Sequence, residues 1–257
     1  MLKGQIIQTL SPLITAIFFL TGNVAKAASE AEEGIFKKFS PAVVMIETDN
    51  SLSKSEPCHT AGTGFFVSPD GDLVTNRHVM QCAIKNGGKG ISFILGTKGH
   101  PSIRSYQIGS CGSNAIQDFC ILKLPLYPEI SFSVGRLEAP LAGALVYTIG
   151  NPLGKNFQIS SGEFRRTMNH DGLSEILTTV PIKPGNSGGP MFREDGRLLG
   201  IATMIRGVYS PYTSKVRNTA TEEPYGLSVS ELNRFIERFY QKGGHFVSPE
   251  TFVLSSP

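Results

Sequence analysis

Turn signals are what most limit the folds open to this chain. Apolar, β-branched runs recur along it, and each is short because a Gly, a Pro or an Asp-Gly or Asn-Gly pair interrupts it. Residues 62–68 and 73–79 face each other across Pro69-Asp70-Gly71-Asp72. Asp-Gly between apolar runs is the strongest short-range hairpin signal. Residues 164–168 and 174–180 flank His170-Asp171-Gly172 in the same way, and 191–205 turns at Asp195-Gly196. Further strands are expected over 41–48, 91–95, 119–124 and 144–149. With 28 glycines and 16 prolines, a chain of 257 residues has room for many such strands and little for long helices. A short helix over 35–39 and a longer one near the end are the exceptions. Ser228-Val-Ser-Glu231 has the spacing of a capping box, and Leu232, Phe235, Ile236 and Phe239 then repeat at i, i+3, i+4 and i+7 before Gly243-Gly244. Many short strands and one terminal helix predict an all-β barrel or sandwich. Residues 28–33 read as an acidic lead-in and 245–257 as a loose tail.

The first 27 residues are different in kind. Lys3 precedes an apolar stretch densest over 13–20, and Ala25-Lys26-Ala27 supplies a small-x-small site. This is the layout of a secretory signal peptide, with the mature chain starting near Ala28. An uncleaved anchor is the alternative, but the dense run is short against the roughly 20 residues a spanning helix needs. Cleavage removes Lys3 and Lys26 and no acid, so the formal charge falls from +3 to +1. Such a balance gives no ground for nucleic-acid binding, and no stable membrane insertion is expected after processing. The expected setting is the periplasm or the exterior, where Cys58, Cys82, Cys111 and Cys120 can pair. Four cysteines allow three pairings, and buried free thiols are the alternative. No CxxC spacing exists and only His59 adjoins a cysteine, so neither a metal nor a cofactor is expected.

One segment points to chemistry. Pro184-Gly-Asn-Ser-Gly-Gly-Pro190 puts three glycines and two prolines around one hydroxyl, that of Ser187. A turn of this kind can aim the N–H groups of Gly185 and Ser187 at one spot. There they would stabilise an oxyanion while Ser187 attacks a carbonyl. A structural Gly-rich loop is the bland alternative.

The run Gly-Asn-Ser-Gly-Gly-Pro resembles the nucleophile motif of chymotrypsin-fold serine peptidases. The longer 183–191 segment and Gly62-Thr-Gly-Phe-Phe-Val-Ser-Pro-Asp-Gly-Asp-Leu-Val-Thr-Asn-Arg-His-Val79 resemble the bacterial HtrA/Deg branch. So do Gln117-Asp-Phe-Cys-Ile-Leu-Lys123, Ile149-Gly-Asn-Pro-Leu-Gly154 with Ser161-Gly162, and Tyr225-Gly-Leu-Ser-Val-Ser230 before a helix. The resemblance implies two six-stranded antiparallel β-barrels of the chymotrypsin type with a C-terminal helix over 28–242, followed by a tail, 243–257. It implies a triad of His78 as base, Asp118 as its orienting acid and Ser187 as nucleophile. It also implies an oxyanion site at Gly185, Asn186 and Ser187. The reaction would be peptide-bond hydrolysis through an acyl-enzyme, with a protein or peptide as substrate. A catalytically silent, polypeptide-binding relative is the rival reading. His59, His100, His170 and His245 are read as surface residues.

The same resemblance gives the cysteines a rationale. A Cys58–Cys82 bridge would pin the histidine loop, and a Cys111–Cys120 bridge would pin the Asp118 side. HtrA-type domains often lack such bridges. Other departures concern specificity. Thr179-Val-Pro-Ile-Lys183 stands where the branch often has Asp-Ala-Ala-Ile-Asn, and no acid lies within 177–184. A trypsin-like preference for Arg or Lys is therefore disfavoured, and a small or medium apolar residue is expected. The residues after the helix are too few for a PDZ domain. The Ala28-Ser-Glu-Ala start lacks an Ile-Val-Gly-Gly-type terminus, and a monomer ordered without zymogen cleavage is expected.

Overall fold

Twelve short strands, most of them buried along nearly their whole length, form two antiparallel sheets. The computed structural model describes residues 29–48, 60–96, 102–112, 117–154, 156–170, 172–205 and 224–252. The first sheet contains β1 (Val43–Thr48), β2 (Ala61–Phe66), β3 (Asp72–Thr75), β4 (Ile91–Leu95), β5 (Gln107–Cys111) and β6 (Cys120–Lys123), in the order β4-β1-β2-β3-β6-β5. The second contains β7 (Leu145–Gly150), β8 (Gln158–His170), β9 (Leu173–Thr178), β10 (Pro190–Phe192), β11 (Leu198–Ile205) and β12 (Pro224–Ser228), and closes as a barrel, β10-β11-β12-β9-β8-β7. The all-β, two-barrel reading holds. The hairpin at Asp70-Gly71 forms as expected, with Gly71 at φ +88° and the Ser68 hydroxyl accepting the N–H groups of Asp70 and Asp72.

Helices account for most of the differences from the sequence reading. The first, α1 (29–39), takes in the acidic lead-in as well as the expected 35–39 turn. The second, α2 (Arg77–Lys85), replaces the end of the expected 73–79 strand. Val79, Met80 and Ala83 lie on its buried face, and Gly87 and Gly88 stop it at positive φ. Val79 reads equally well as strand or helix in isolation. The tertiary partner that selects helix is Asp118, described below. The third, α3 (Val229–Gln241), is the expected terminal helix, with Leu232 and Phe239 buried. Its capping box does not form. Ser228 makes no side-chain cap, and Glu231 instead accepts the Ser174 N–H at 2.8 Å and the Arg234 guanidinium. That exchange fastens α3 to β9. Strands β5 and β12 carry weak apolar alternation and were not anticipated as strands.

The C-terminal segment is docked rather than loose as far as residue 252. Val247 exchanges both backbone hydrogen bonds with Ile108 in β5, at 2.9 and 3.0 Å, and Phe246 packs on Phe239. The Tyr240 hydroxyl donates to Asp72 Oδ2 at 2.7 Å, while Lys123 holds the other oxygen at 2.8 Å. Burial, with Asp72 beside it, pushes the Tyr240 hydroxyl well above its ordinary range, so it stays a donor.

A shared aromatic core fixes the two sheets against each other. Phe65 and Phe119 come from the first sheet side, Phe192 and Tyr147 from the barrel, and Phe39 from α1. Phe132, on the segment between the sheets, lies among Phe39, Phe65 and Phe192 with ring centroids 5.1–5.7 Å apart. Its backbone N–H donates to Phe66 O at 2.8 Å. Truncating a buried ring removes transfer energy and leaves a cavity. Phe132→Ala should therefore lower the unfolding free energy by about 3–5 kcal/mol, read as a fall in the urea midpoint with an unchanged slope.

Candidate active site

The site begins at the first turn of α2. An α-helix leaves its first N–H groups without intrahelical acceptors and carries partial positive charge there. Asn76 occupies the N-cap, but its side chain makes no cap. Asp118 supplies the acceptor from another part of the chain. Its Oδ1 accepts the His78 backbone N–H at 2.9 Å, and its Oδ2 lies 2.6 Å from His78 Nδ1. An ionised carboxylate can only accept, so the contact places a proton on Nδ1 and leaves Nε2 as the nitrogen that does not face Asp118. The Asp118 side chain is 10% exposed and that of His78 25%. Nε2 is thus held in one orientation at the edge of solvent.

Asp118 is placed by the sheet and by Asn76. It directly precedes Phe119 and β6, and the structure joins Cys120 to Cys111, its antiparallel partner on β5, through a disulfide. Cys58 lies outside the described residues, so the expected Cys58–Cys82 pair does too. Asn76 Nδ2 donates to Asp118 O at 2.8 Å and reaches Thr203 Oγ1 at 3.4 Å. Thr203 belongs to β11, so Asn76 links the acid's loop to the second barrel.

The Ser187 turn follows from Pro and Gly chemistry. The Asn186 N–H donates to Lys183 O at 2.9 Å, with Pro184 and Gly185 between them and Gly185 at φ +97°. Pro at the second position and Gly at the third are what a type II turn selects. A Cβ on Gly185 would stand 2.0 Å from Asn151 O, so the position also demands glycine for space. Pro184 O accepts the Leu153 N–H at 2.7 Å, and Leu153 holds a left-handed conformation, φ 61° and ψ 21°, to offer it. A trans peptide directs its N–H opposite to its carbonyl. The Gly185 N–H therefore points away from Leu153, and no described residue accepts it. The Ser187 N–H is likewise unclaimed among the described residues. The Asn186 N–H is not available, because it closes the turn. Of the three residues expected at an oxyanion site, Gly185 and Ser187 keep N–H groups that no described residue accepts, and Asn186 does not.

Thr63 on β2 holds this turn from the first sheet. Its hydroxyl donates to Gly185 O at 2.7 Å and accepts the Asn151 N–H at 3.2 Å. Its own N–H donates to Ser187 O at 2.8 Å. Gly188 lies against Thr63 O and Thr75 Oγ1 at φ +86°, where a Cβ would stand 2.1 Å from the carbonyl oxygen. On its other side the loop pairs with β11 through Gly188 N to Ala202 O and Ala202 N to Gly189 O, both 2.8 Å. The Ser187 hydroxyl donates to Thr203 O at 2.9 Å, and among the described residues no hydrogen bond joins it to His78.

All three expected triad residues therefore lie on one stretch of the boundary between the sheets. Asp118 and His78 are paired, Ser187 is turned toward Thr203, and Asn76, Thr203 and Thr63 connect them. The last three were not singled out from sequence. Asn76 and Thr63 lie inside the segment quoted above, but nothing in the run of residues distinguishes them. His59 and His100 lie outside the described residues, as does the side chain of His170, and His245 is exposed. Among the described residues no group of three or more His, Cys, Asp and Glu is placed to hold a metal ion. On the stretch before the nucleophile, Val180 and Ile182 turn inward, while Thr179, Pro181 and Lys183 face out.

Known proteins are similar to this chain in sequence and in fold. Probable periplasmic serine endoproteases described as DegP-like are similar: that of Halomonas elongata is 32% identical over 155 residues, 59% of this chain and 31% of the relative. Serine protease HTRA1A of Danio rerio is 28% identical over 187 residues, 66% of this chain and 36% of that protein. The chain thus spans about a third of the length of these relatives. Among solved structures, the HtrA-type protease AlgW with a tripeptide aligns at a TM-score of 0.62 and 23% identity, over 83% of this chain and 64% of that one. The Rv3671c protease of M. tuberculosis, in its active form, aligns at 0.60 and 21%, over 80% and 83%. At these identities the structural likeness speaks for the fold. A trypsin-like peptidase domain is matched over residues 62–201, more than half of the sequence, and the chain belongs to that family.

Proposed function

We propose that this chain is an exported serine endopeptidase acting through Ser187, His78 and Asp118. The observation that carries the reading is the His78–Asp118 pair, fixed on the first turn of α2, together with a type II turn whose Gly185 and Ser187 N–H groups no described residue accepts. In the resting geometry the Ser187 hydroxyl is parked on Thr203 O. Attack requires it to turn to His78 Nε2, which takes its proton as the oxygen bonds to the scissile carbonyl carbon. The carbonyl oxygen becomes an oxyanion and is met by the Gly185 and Ser187 N–H groups. Asp118 stabilises the imidazolium that forms. His78 then returns the proton to the departing amine, and water repeats the sequence on the acyl-enzyme. The substrate is a polypeptide. The absence of an acid within 177–184 supports small or medium apolar side chains over Arg or Lys. The leader-like 1–27 segment and the periplasmic naming of the relatives support action outside the cytoplasm, and the packing of Ile35 and Phe39 into this chain's own core supports a monomer.

The parked serine also favours a second reading, a silent polypeptide-binding protein whose hydroxyl never leaves Thr203. A fluorophosphonate probe separates the two. One adduct on Ser187, absent from Ser187→Ala, is expected by mass spectrometry; folded protein that stays unlabelled across pH 6–9 would support the silent form. His78→Ala should slow peptide cleavage by about 10³-fold or more.

Thr63 offers a finer test. Thr63→Val keeps the shape but strands Gly185 O and the Asn151 N–H. It should lower stability by about 1–3 kcal/mol and slow fluorophosphonate labelling more than tenfold, while Thr63→Ser keeps both. Labelling of Thr63→Val at the native rate would show that the clamp does not organise the turn.

A further inference from the structure

A second concavity, apart from the Ser187 turn, lies between α3 and β5 of the first sheet. It has a volume of about 430 Å³, within the range of small-molecule sites, roughly 300–1,000 Å³. One wall is the backbone of β5 and its continuation, Gly109 to Gly112, with the Cys111–Cys120 bridge. The other is a face of α3 that repeats at i, i+4, i+7, i+8 and i+11 through Glu231, Phe235, Arg238, Phe239 and Lys242. Gly109 is what lets the aromatic rings approach, since a Cβ there would lie 2.6 Å from Phe239 and 2.8 Å from Phe246.

Two chemistries meet in this cavity. Phe119 and Phe235, with ring centroids 5.7 Å apart, and Leu173 make an apolar floor. The rim is cationic. Arg234 is held by Glu231, which also accepts the Ser174 N–H. Arg238 and Lys242 line the same cavity and meet no acid among the described residues. The rim therefore keeps two uncompensated positive charges above an apolar base. An uncharged ligand would leave the rim unused, and an inorganic anion would leave the floor wet.

The geometry points to a binding site for a small amphipathic anion, an apolar body carrying one carboxylate, with its apolar part on Phe119, Phe235 and Leu173 and its charge between Arg238 and Lys242. Gln117 and Phe119, which flank Asp118, are part of the lining, so an occupant touches the loop that carries the acid facing His78. Binding itself does not depend on the peptidase reading, and it is measured without substrate.

Isothermal titration of the full chain with octanoate and with N-acetyl-Leu-Leu bearing a free carboxylate tests the alkyl and the peptide source of such an anion. The neutral controls are octanamide and the peptide amide, with inorganic phosphate as the charge-only control. Saturable binding of at least one carboxylate, tenfold or more tighter than its neutral counterpart and than phosphate, is expected. Both cations are exposed, so Arg238→Gln with Lys242→Gln should fold normally and weaken that binding at least tenfold. The proposal is overturned by no saturable binding of either carboxylate, by neutral counterparts or phosphate that bind as well, or by full affinity in the doubly substituted chain.

Discussion

The clamp made by Thr63 is the contact on which the rest of the site depends. One residue of the first sheet donates to the carbonyls on both sides of Asn186 and accepts the Asn151 N–H. The loop that carries Ser187 springs from the second barrel, and it takes its shape against a strand of the other sheet. Its neighbours follow from that closeness. Gly188 is required because Thr63 O and Thr75 Oγ1 leave no space for a side chain, and Gly185 because Asn151 and Leu153 press on it. The shared aromatic core around Phe132 keeps the two sheets near enough for these bonds to form.

A second economy lies in Asp118. Its carboxylate caps α2 and orients the His78 ring with separate oxygens. The start of the helix and the orientation of the His78 ring therefore rest on one side chain. Asn76, relieved of capping, spends its amide on Asp118 O and Thr203. Thr203 then offers its carbonyl to the Ser187 hydroxyl. Hydrogen bonds therefore link the start of α2 to Ser187 by way of Asp118, Asn76 and Thr203.

What was legible in the sequence was what local chemistry alone decides. Asp70-Gly71 and Asp195-Gly196 mark hairpins because Gly71 and Gly196 supply the positive φ that the turns need, and the glycines and prolines of 184–190 mark a tight turn. Phe235, Ile236 and Phe239 mark α3 by their period. Residues whose roles depend on a distant partner were not legible. Val79 belongs to a helix because Asp118 caps it. Glu231 leaves the capping box because Ser174 competes for it. The Asn186 N–H is engaged because it closes the turn onto Lys183. Thr63 and Asn76 look like ordinary strand-end residues until the second barrel is in place.

The most direct test of this account is a crystal structure of the chain with a peptidyl phosphonate bonded to Ser187. The account predicts that Ser187 Oγ has left Thr203 O. It also predicts a phosphonyl oxygen about 3 Å from the Gly185 and Ser187 nitrogens, with Pro184 O still on Leu153 N and Thr63 still on Gly185 O. A Pro184–Gly185 peptide rotated relative to the resting structure, or a phosphonyl oxygen that meets neither N–H, would contradict the claim that Thr63 and Leu153 hold the turn ready in advance.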